Sequence, residues 1–369
     1  MMSEPPPGPI ATTDYGPNRP VVCEHCDWRY LYPAGNSPDL CPHCFAGRLM
    51  PFDPAGGDPG HDVAPELMIP FTLSAEELER RLRQFVQGIP FAPADLKVRN
   101  LRARRQPYFL PVWLVDAAVQ ARWRAEMGFH YDVVSHQDRF EERQGGWTSR
   151  EVRETRIRWE SRCGSLERTY PNITAPALEE HDRLRQQLGE FPHEWARPFD
   201  TVAAAGRGWR LPGRSAADAW PDCLPPLMEM ARDECRRAAR ADHVRQFQWT
   251  IGTVDRNWTF LLLPVYSTYY RDDEGVPRRL LIHGVSGRIA GERRSSPRRA
   301  GRVSLILATL ALLLLLLGLT GLLLGRSIDP LLPVGVFSCL AGICTGLGAL
   351  YPLVRAWQFN RRPSAPPLS

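Results

Sequence analysis

The chain has 369 residues, of which 46 are Lys or Arg and 41 are Asp or Glu, so its formal net charge is only +5. Lys97 is the single lysine, so the many arginines indicate a compositional preference rather than a charge-driven nucleic-acid-binding surface. The length allows one sizeable domain, a small module and a membrane segment. Residues 1–20 are rich in proline and have no apolar run, which predicts a disordered tail and no signal peptide.

Four of the nine cysteines form two Cys-x2-Cys pairs, fourteen residues apart, within residues 21–50. This spacing is typical of a zinc ribbon, in which four thiolates surround one tetrahedral Zn²⁺. The predicted ligands are Cys23, Cys26, Cys41 and Cys44. Four sulfurs leave no open position for water, so the predicted zinc is structural, and no catalytic residue is assigned. His25 and His43 lie within the pairs and could be spare ligands or proton carriers. We prefer the alternative that they are exposed residues next to a full coordination sphere.

Residues 51–66 contain three glycines and little apolar content, which predicts a flexible linker. The ribbon is therefore expected to be tethered to the following domain rather than fused with it. Zinc ribbons bind nucleic acid, bind other proteins or cap their own domain, and the sequence leaves these three roles open.

An α+β cytosolic domain with an antiparallel β-sheet is predicted for residues 67–295. Ser74 and Glu77 form a capping box that begins an amphipathic helix, and Gly88 ends it. From Tyr108 the apolar residues alternate with period two, which predicts a long strand.

A second alternating strand passes through residues 152–159, and we expect it to pair with the first as an antiparallel hairpin. Short helices are predicted at residues 178–188 and 226–241, and further strands at residues 260–270 and 278–291.

Other candidate site residues are weaker. His130, Asp132 and His136 resemble a metal or acid–base set, but strand geometry separates the two histidines by about 20 Å, so we reject it. Three further cysteines have no partner within ligand spacing and are predicted to be small buried residues. They are Cys163, Cys223 and Cys235. The sequence contains no phosphate-binding loop, dinucleotide fingerprint or nucleophile elbow, so an enzymatic role is not favoured.

Two uncharged apolar runs, residues 303–325 and 331–354, each exceed the roughly 20 residues that a helix needs to cross a bilayer. The connection at residues 326–330 contains Arg, Asp and Pro, which predicts a transmembrane hairpin. Arginines precede the first run and follow the second, so the positive-inside rule places residues 1–302 and the tail at residues 355–369 in the cytoplasm. We expect a multi-pass protein of the cell (inner) membrane with both termini cytosolic.

The second run has small residues at four-residue spacing, namely Ser338, Gly342 and Gly346, extended by Gly335 and Ala349. Helices in lipid associate through small residues that let their backbones approach closely. This stripe is therefore expected to pack either against the leucine-rich first run or against a second copy of the chain, as a homo-oligomer.

Several short blocks follow the cysteine pairs in a fixed order. They are Ile69-Pro70-Phe71, Phe91-Ala92-Pro93, Leu110-Pro111-Val112-Trp113 with Asp116, Pro198-Phe199-Asp200, Leu262-Leu263-Pro264-Val265-Tyr266, and His283-Gly284-Val285-Ser286-Gly287-Arg288 with Gly291-Glu292. This order, over most of residues 21–300, resembles a bacterial family of zinc-ribbon-containing membrane proteins, largely uncharacterised and sometimes labelled replication-restart helicase or primosomal proteins. The chain lacks the Gly-Lys-Ser/Thr loop that an ATP-driven helicase requires, so that activity is not carried over.

The leading hypothesis is a membrane-anchored, non-enzymatic protein whose ribbon and α+β domain form a cytosolic binding or scaffolding module for a protein partner. A membrane-tethered nucleic-acid-binding protein is the alternative, and a hydrolase at the membrane surface ranks third. Base stacking needs exposed aromatic residues beside a basic groove. The ribbon offers Trp28, Tyr30 and Tyr32 but few cations, which disfavours nucleic acid.

Overall fold

The computed structural model describes residues 18–52, 64–141, 146–204, 206–324 and 331–361. The predicted tail at residues 1–20, the linker at 51–66, the connection at 326–330 and the tail at 355–369 lie wholly or largely outside these described residues. The chain divides into two compact units. The first comprises Met1–Pro111, Glu180–Pro212 and Leu261–Ser369, and the second comprises Val112–Glu179 and Gly213–Phe260.

The described residues form eleven strands and seven α-helices. The strands are β1 Asn18–Cys23, β2 Arg29–Pro33, β3 Leu49–Pro51, β4 Leu67–Met68, β5 Gln106–Glu141, β6 Gly146–Ala175, β7 Arg197–Pro198, β8 Gly208–Arg210, β9 His243–Arg271, β10 Pro277–His283 and β11 Ile289–Gly291. The helices are α1 Ala75–Gln87, α2 Val98–Ala103, α3 His181–Leu188, α4 Ala216–Ala238, α5 Pro297–Leu324, α6 Leu331–Gly348 and α7 Tyr351–Arg361.

The strands form one mixed sheet, with the strand order β11-β10-β9-β5-β8-β2-β1-β3. Most neighbours are antiparallel, but β4 pairs in parallel with β9, and β8 pairs in parallel with β5. The prediction of an entirely antiparallel sheet is therefore wrong, because two strand pairs are parallel. The parallel partners have only two or three residues each, and such short strands show no period-two pattern in a sequence.

The N-terminal cysteine segment is part of this sheet. Strand β2 pairs with β8, so residues 21–50 are fused into the first unit rather than tethered to it. Gly208 permits the pairing, because a Cβ there would lie 2.5 Å from the Tyr32 ring. Ser267 on β9 also donates a hydrogen bond to the Pro42 carbonyl at 2.6 Å.

Helix α1 confirms its predicted boundaries. Ser74 Oγ accepts a hydrogen bond from Glu77 N at 3.1 Å, and Gly88 is the C-cap. The buried face of α1 contributes Leu78, Leu82 and Phe85 to a core cluster that β9 and β10 complete with Tyr270, Leu280 and Ile282.

The second unit contains the predicted long hairpin. Strands β5 and β6 pair antiparallel from Trp113↔Ala175 to Glu141↔Gly146. One irregularity lies between Val115 and Ala117, where Asn172 has φ 54° and donates its N–H to Asp116 Oδ1 at 2.7 Å.

Two elements that lie wholly or partly in the second unit begin earlier than predicted. Strand β9 begins at His243 rather than near residue 260, and helix α4 begins at Ala216 rather than at residue 226. Proline usually ends a helix, yet α4 contains three prolines. These prolines placed the predicted start of α4 too late in the sequence. Ser215 caps α4 by accepting from Asp218 N at 3.1 Å.

The three unpaired cysteines differ in their burial. Cys223 and Cys235 on α4 are buried as predicted, and burial raises the pKa of each thiol to about 11. Cys163 on β6 is exposed, so the prediction that it is buried is wrong. The residues next to Cys163 on β6 are mostly exposed as well, so this part of the strand has no buried face.

Two helices near the end of the chain, Pro297–Leu324 and Leu332–Arg361, are long and apolar enough to cross a membrane. The second is not continuous, because α6 ends at Gly348 and α7 begins at Tyr351, just before Pro352. Proline lacks an N–H and clashes with the preceding turn, which accounts for the interruption of the helix predicted at residues 331–354.

Helices α5 and α6 pack closely through small residues. A Cβ at Gly335 would lie 2.6 Å from Leu322 N, and one at Gly342 would lie 2.7 Å from Leu315 Cγ. On α5 the buried small residues Ser304, Ala311 and Gly318 recur every seven positions. The glycine stripe therefore packs against the first apolar helix of the same chain.

Candidate metal centre

The four cysteines predicted as ligands lie together at one end of the sheet of the first unit. Their Sγ atoms are all within 4.8 Å of one another, and they form the group of the described residues that could hold a metal ion. Cys23 Sγ lies 3.6 Å from Cys44 Sγ, and Cys26 Sγ lies 3.7 Å from Cys41 Sγ. A metal bound at about 2.3 Å by four tetrahedral thiolates separates its sulfurs by about 3.8 Å. The arrangement therefore fits a tetrahedral metal ion.

The two Cys-x2-Cys segments share one backbone geometry. Asp27 N donates to Cys23 O at 3.1 Å, and Phe45 N donates to Cys41 O at 3.0 Å. Asp27 and Phe45 each follow the second cysteine of a pair and have left-handed φ values of 56° and 52°. A left-handed conformation costs a non-glycine residue on the order of 1–2 kcal/mol. The same strained turn at equivalent positions shows that both segments are shaped to direct their sulfurs to one point.

Backbone N–H groups point at the sulfurs. His25 N contacts Cys23 Sγ, His43 N contacts Cys41 Sγ and Gly47 N contacts Cys44 Sγ, each at 3.4 Å. Such donors stabilise thiolate charge.

Gly47 is needed for close packing at the centre. A Cβ there would lie 2.7 Å from Cys23 Sγ and 2.6 Å from His25 Cβ. The sequence analysis did not single this residue out, although it stands three positions after the last cysteine.

The surroundings of Cys41 favour its thiolate form. The Cys26 thiol, above all, lowers its pKa to about 5 through a hydrogen bond, and backbone N–H groups and the Tyr30 hydroxyl act in the same direction. Tyr30 is fully buried, with its hydroxyl 3.7 Å from Cys41 Sγ, and burial raises the pKa of its phenol. This donor stays protonated and faces the sulfur at neutral pH.

The aromatic residues that follow the first cysteine pair are engaged within the protein. Tyr30 and Tyr32 are buried, at 0% and 3% relative exposure. The Trp28 ring stacks on the His43 ring with centroids 3.4 Å apart, and the Arg210 guanidinium lies 3.2 Å from the Trp28 centroid. These contacts place His43 against an indole.

Arg279 is a buried cation in the same region. Its side chain on β10 is 9% exposed, and its Nε and Nη1 have no hydrogen-bond partner. Its guanidinium lies 5.5 Å from the Trp28 centroid, and burial lowers its pKa. The nearby Tyr108 hydroxyl is also buried without a partner. A centre of four thiolates and one divalent ion carries a net charge of about −2, which such a cation would offset.

His130 and Asp132, from the set that the sequence analysis rejected, each have a partner in the second unit. His130 faces His243, with 2.7 Å between their Nε2 atoms, and His130 N donates to Asp242 Oδ2 at 2.8 Å. Asp132 accepts from the Thr155 hydroxyl at 3.0 Å. The partner of His130 lies 113 positions along the chain. Only the pairing of β5 with β9 brings the two histidines together, and no local pattern predicts it.

Comparisons of the chain with protein-family models, with curated proteins and with solved structures found no match.

Proposed function

We propose that this protein is a membrane-anchored zinc-ribbon protein whose sheet domain is a cytosolic binding or scaffolding module for a protein partner. The metal is Zn²⁺, since four thiolates in a tetrahedral arrangement are its preferred structural ligands. Because four sulfurs complete the coordination, the ion stabilises the fold and does not activate water. The resemblance to zinc-ribbon-containing membrane proteins agrees with this proposal.

The observation that carries the proposal is the direct attachment of the apolar helices to the folded domain. Ser295 N donates to Asn360 Oδ1 at 2.8 Å, and Asn360 Nδ2 donates back to Ser295 O at 3.0 Å. This amide pair joins the start of α5 to the end of α7. Both outer ends of the proposed hairpin therefore lie on one side, as the arginine distribution requires.

A second set of contacts fixes the first helix to the domain. Ser296 Oγ donates to Asp273 at 2.7 Å and accepts from Arg299 N at 3.0 Å, so it caps α5 while bonding to the β9–β10 turn. Ser295 Oγ donates to the Pro90 carbonyl at 2.6 Å, and Phe359 of α7 packs against the α1 core. A domain bonded in this way is held at the membrane surface, where it would present a defined face to a partner.

The nucleic-acid alternative loses its main support. Stacking of bases requires exposed aromatic faces. Tyr30 and Tyr32 are buried, and Trp28 is occupied by His43 and Arg210. A protein partner is therefore the better proposal.

The test uses the full chain expressed in membranes. After extraction at alkaline pH with carbonate, we expect the protein to stay in the membrane fraction. The detergent-solubilised, zinc-containing protein should then retain a protein partner, and its binding to an oligonucleotide should be weak at physiological salt. Release by carbonate would refute the anchor. Tight oligonucleotide binding that falls steeply between two salt concentrations would favour the alternative, because phosphate contacts release counterions.

A further inference from the structure

A cleft of about 720 Å³ opens on the first unit, beside the segment that leads into α5. Three arginines from three different elements line it: Arg81 of α1, Arg288 of the β10–β11 turn and Arg293 just before α5. Glu190 is the one acidic residue among its described lining residues, and it pairs with Arg185 at 2.6 Å. The cleft therefore carries net positive charge.

Two of the arginines are available to a ligand. Within the described part of the chain, neither Arg288 nor Arg293 pairs with a carboxylate. Arg288 Nη2 donates to the Gln186 carbonyl at 3.3 Å, and the Arg293 guanidinium lies 5.0 Å from the Phe85 ring centre. Both guanidinium groups are thus positioned by neutral groups that leave their charge uncompensated.

Glycines make room for these side chains. Gly189 has φ +90°, and a Cβ there would lie 3.2 Å from Arg288 Nη1. Gly287 has φ +70°, and a Cβ there would lie 3.1 Å from Arg81 Cγ. Both left-handed conformations favour glycine, so the backbone is shaped around the arginines at two points.

His283 ties the two walls of the cleft together. Its Nδ1 accepts hydrogen bonds from Val285 N at 3.1 Å and Ser286 N at 3.2 Å. The other ring nitrogen, Nε2, must then carry the proton, and it donates to the Glu190 carbonyl at 3.2 Å. The ring also stacks on Phe191 with centroids 3.7 Å apart. His283 is a positioning residue that holds the Arg288 turn against the loop after α3.

From this geometry we infer that the cleft binds a phosphate-bearing anion, supplied by the headgroup of an anionic phospholipid. Planar guanidinium groups bind phosphate oxygens in bidentate fashion, and arginine suits such sites better than lysine. The volume suits one headgroup. Arg293 stands four positions before the first residue of α5, so a lipid beside that helix can reach the cleft. This inference depends on the proposed membrane anchor.

The experiment measures retention of anionic lipid by full-length protein in nanodiscs of phosphatidylcholine with or without phosphatidylglycerol. R288Q/R293Q should lower the apparent affinity for phosphatidylglycerol by about 100-fold, since loss of a charge-assisted hydrogen bond from each guanidinium costs a factor of about 10. R83Q/R294Q is the matched control. It removes the same charge from residues that pair with Glu79 and Glu292 outside the cleft, and it should change the affinity less than about twofold.

A conservative variant separates geometry from charge. R288K/R293K keeps both charges but loses the planar fork, so its affinity should lie between those of the native protein and R288Q/R293Q. Metal content and thermal stability of each variant confirm that it is folded.

Several outcomes would overturn the inference. Equal losses in the cleft pair and the control pair would indicate a diffuse charge effect. Binding of sn-glycerol 3-phosphate at least as tight as that of phosphatidylglycerol, with the same dependence on Arg288 and Arg293, would show that the ligand is a soluble phosphate ester. Oligonucleotide binding that requires the same two arginines would assign the cleft to nucleic acid. Carbonate extraction of the native protein tests the anchor separately, because binding of sn-glycerol 3-phosphate reports on the cleft without a membrane.

Discussion

The close contact between α5 and α6 predicts that a Gly→Ala substitution destabilises the helix pair at one glycine of α6 and not at another. A Cβ at Gly335 would lie 2.6 Å from Leu322 N, 2.8 Å from Gly321 C and 2.9 Å from Gly318 O, all of which are backbone atoms. A Cβ at Gly348 would meet nothing within 4 Å. Gly335→Ala and Gly348→Ala are thus the same substitution in the same helix. The added methyl group meets backbone atoms of α5 at Gly335 and open space at Gly348.

The expected magnitude follows from the distances. Non-bonded carbon and nitrogen atoms pack at about 3.5–4.0 Å, so Gly335→Ala must move the two backbones apart by about 1 Å. A gap of that size forfeits between a quarter and a half of each dispersion contact at the crossing. Overpacking of this kind typically costs about 1–3 kcal/mol. Gly348→Ala should be neutral or stabilising by up to about 1 kcal/mol, because alanine favours helix.

The assay is the free energy of separating the two helices, measured by SDS titration of full-length protein in mixed micelles. Gly346→Ala adds an intermediate case, since its Cβ would lie 3.6 Å from Ala311 Cβ, an ordinary contact distance. We expect the free energy of separation to be lower for Gly335→Ala than for the native protein. For Gly346→Ala and Gly348→Ala it should equal or exceed the native value. If Gly335→Ala were as stable as Gly348→Ala, the close packing of α5 on α6 would be refuted.

Four further predictions concern other parts of the chain. Cys41→Ser should lower the zinc content from one ion per chain to well below one, as elemental analysis can show, because a structural site needs all four sulfurs. A reporter at Ser369 should be active only in the cytosolic sense, whereas a cysteine placed at Ser327 should be labelled from outside; the reverse pattern would contradict the hairpin. Burial lowers the pKa of His283 below 6.5, so the unfolded state binds the proton first and the free energy of unfolding should fall as pH drops below 6.5. His283→Gln should make the free energy of unfolding, measured by urea titration at several pH values, depend less on pH. An unchanged pH dependence would exclude His283 as its source. Arg279→Met should speed zinc release to a chelator, because it removes a buried cation beside Trp28, two residues after the first cysteine pair; a slower release would show that the cation destabilises the centre.

Local patterns predicted the parts of the fold that depend on neighbouring residues. The two Cys-x2-Cys pairs predicted the cysteine cluster because each turn directs two sulfurs to one point within four residues. Ser74 and Glu77 predicted the start of α1, and the alternation after Tyr108 predicted the hairpin of β5 and β6. Each of these features is encoded within a few residues or one strand length.

Features that depend on distant or very short partners were not predictable. Strand β8 has three residues, yet it pairs with both β2 and β5 and fuses the cysteine segment into the sheet. The contact of His130 with His243 joins residues more than a hundred positions apart. On α5, Ala311 lies among leucines, and no local pattern predicts that Gly346 of α6 packs against it.

Because the cysteine segment is part of the sheet, loss of the metal should affect more of the protein than this segment alone. A tethered ribbon would unfold alone. In the structure, Phe45 packs on Tyr269 at 4.4 Å between ring centroids, and Ser267 donates a hydrogen bond to the carbonyl of Pro42. Two residues of β9 therefore contact the second Cys-x2-Cys pair or the residue that follows it.

The same strand also leads to the first apolar helix. The turn after β9 carries Asp273, which bonds to Ser296 at the start of α5. A metal ion that orders the cysteine segment therefore supports the same end of β9 from which the turn holds the first apolar helix. Under the proposed function, this continuity would let a structural metal ion help to set the position of the domain at the membrane, beyond stabilising a small appended module.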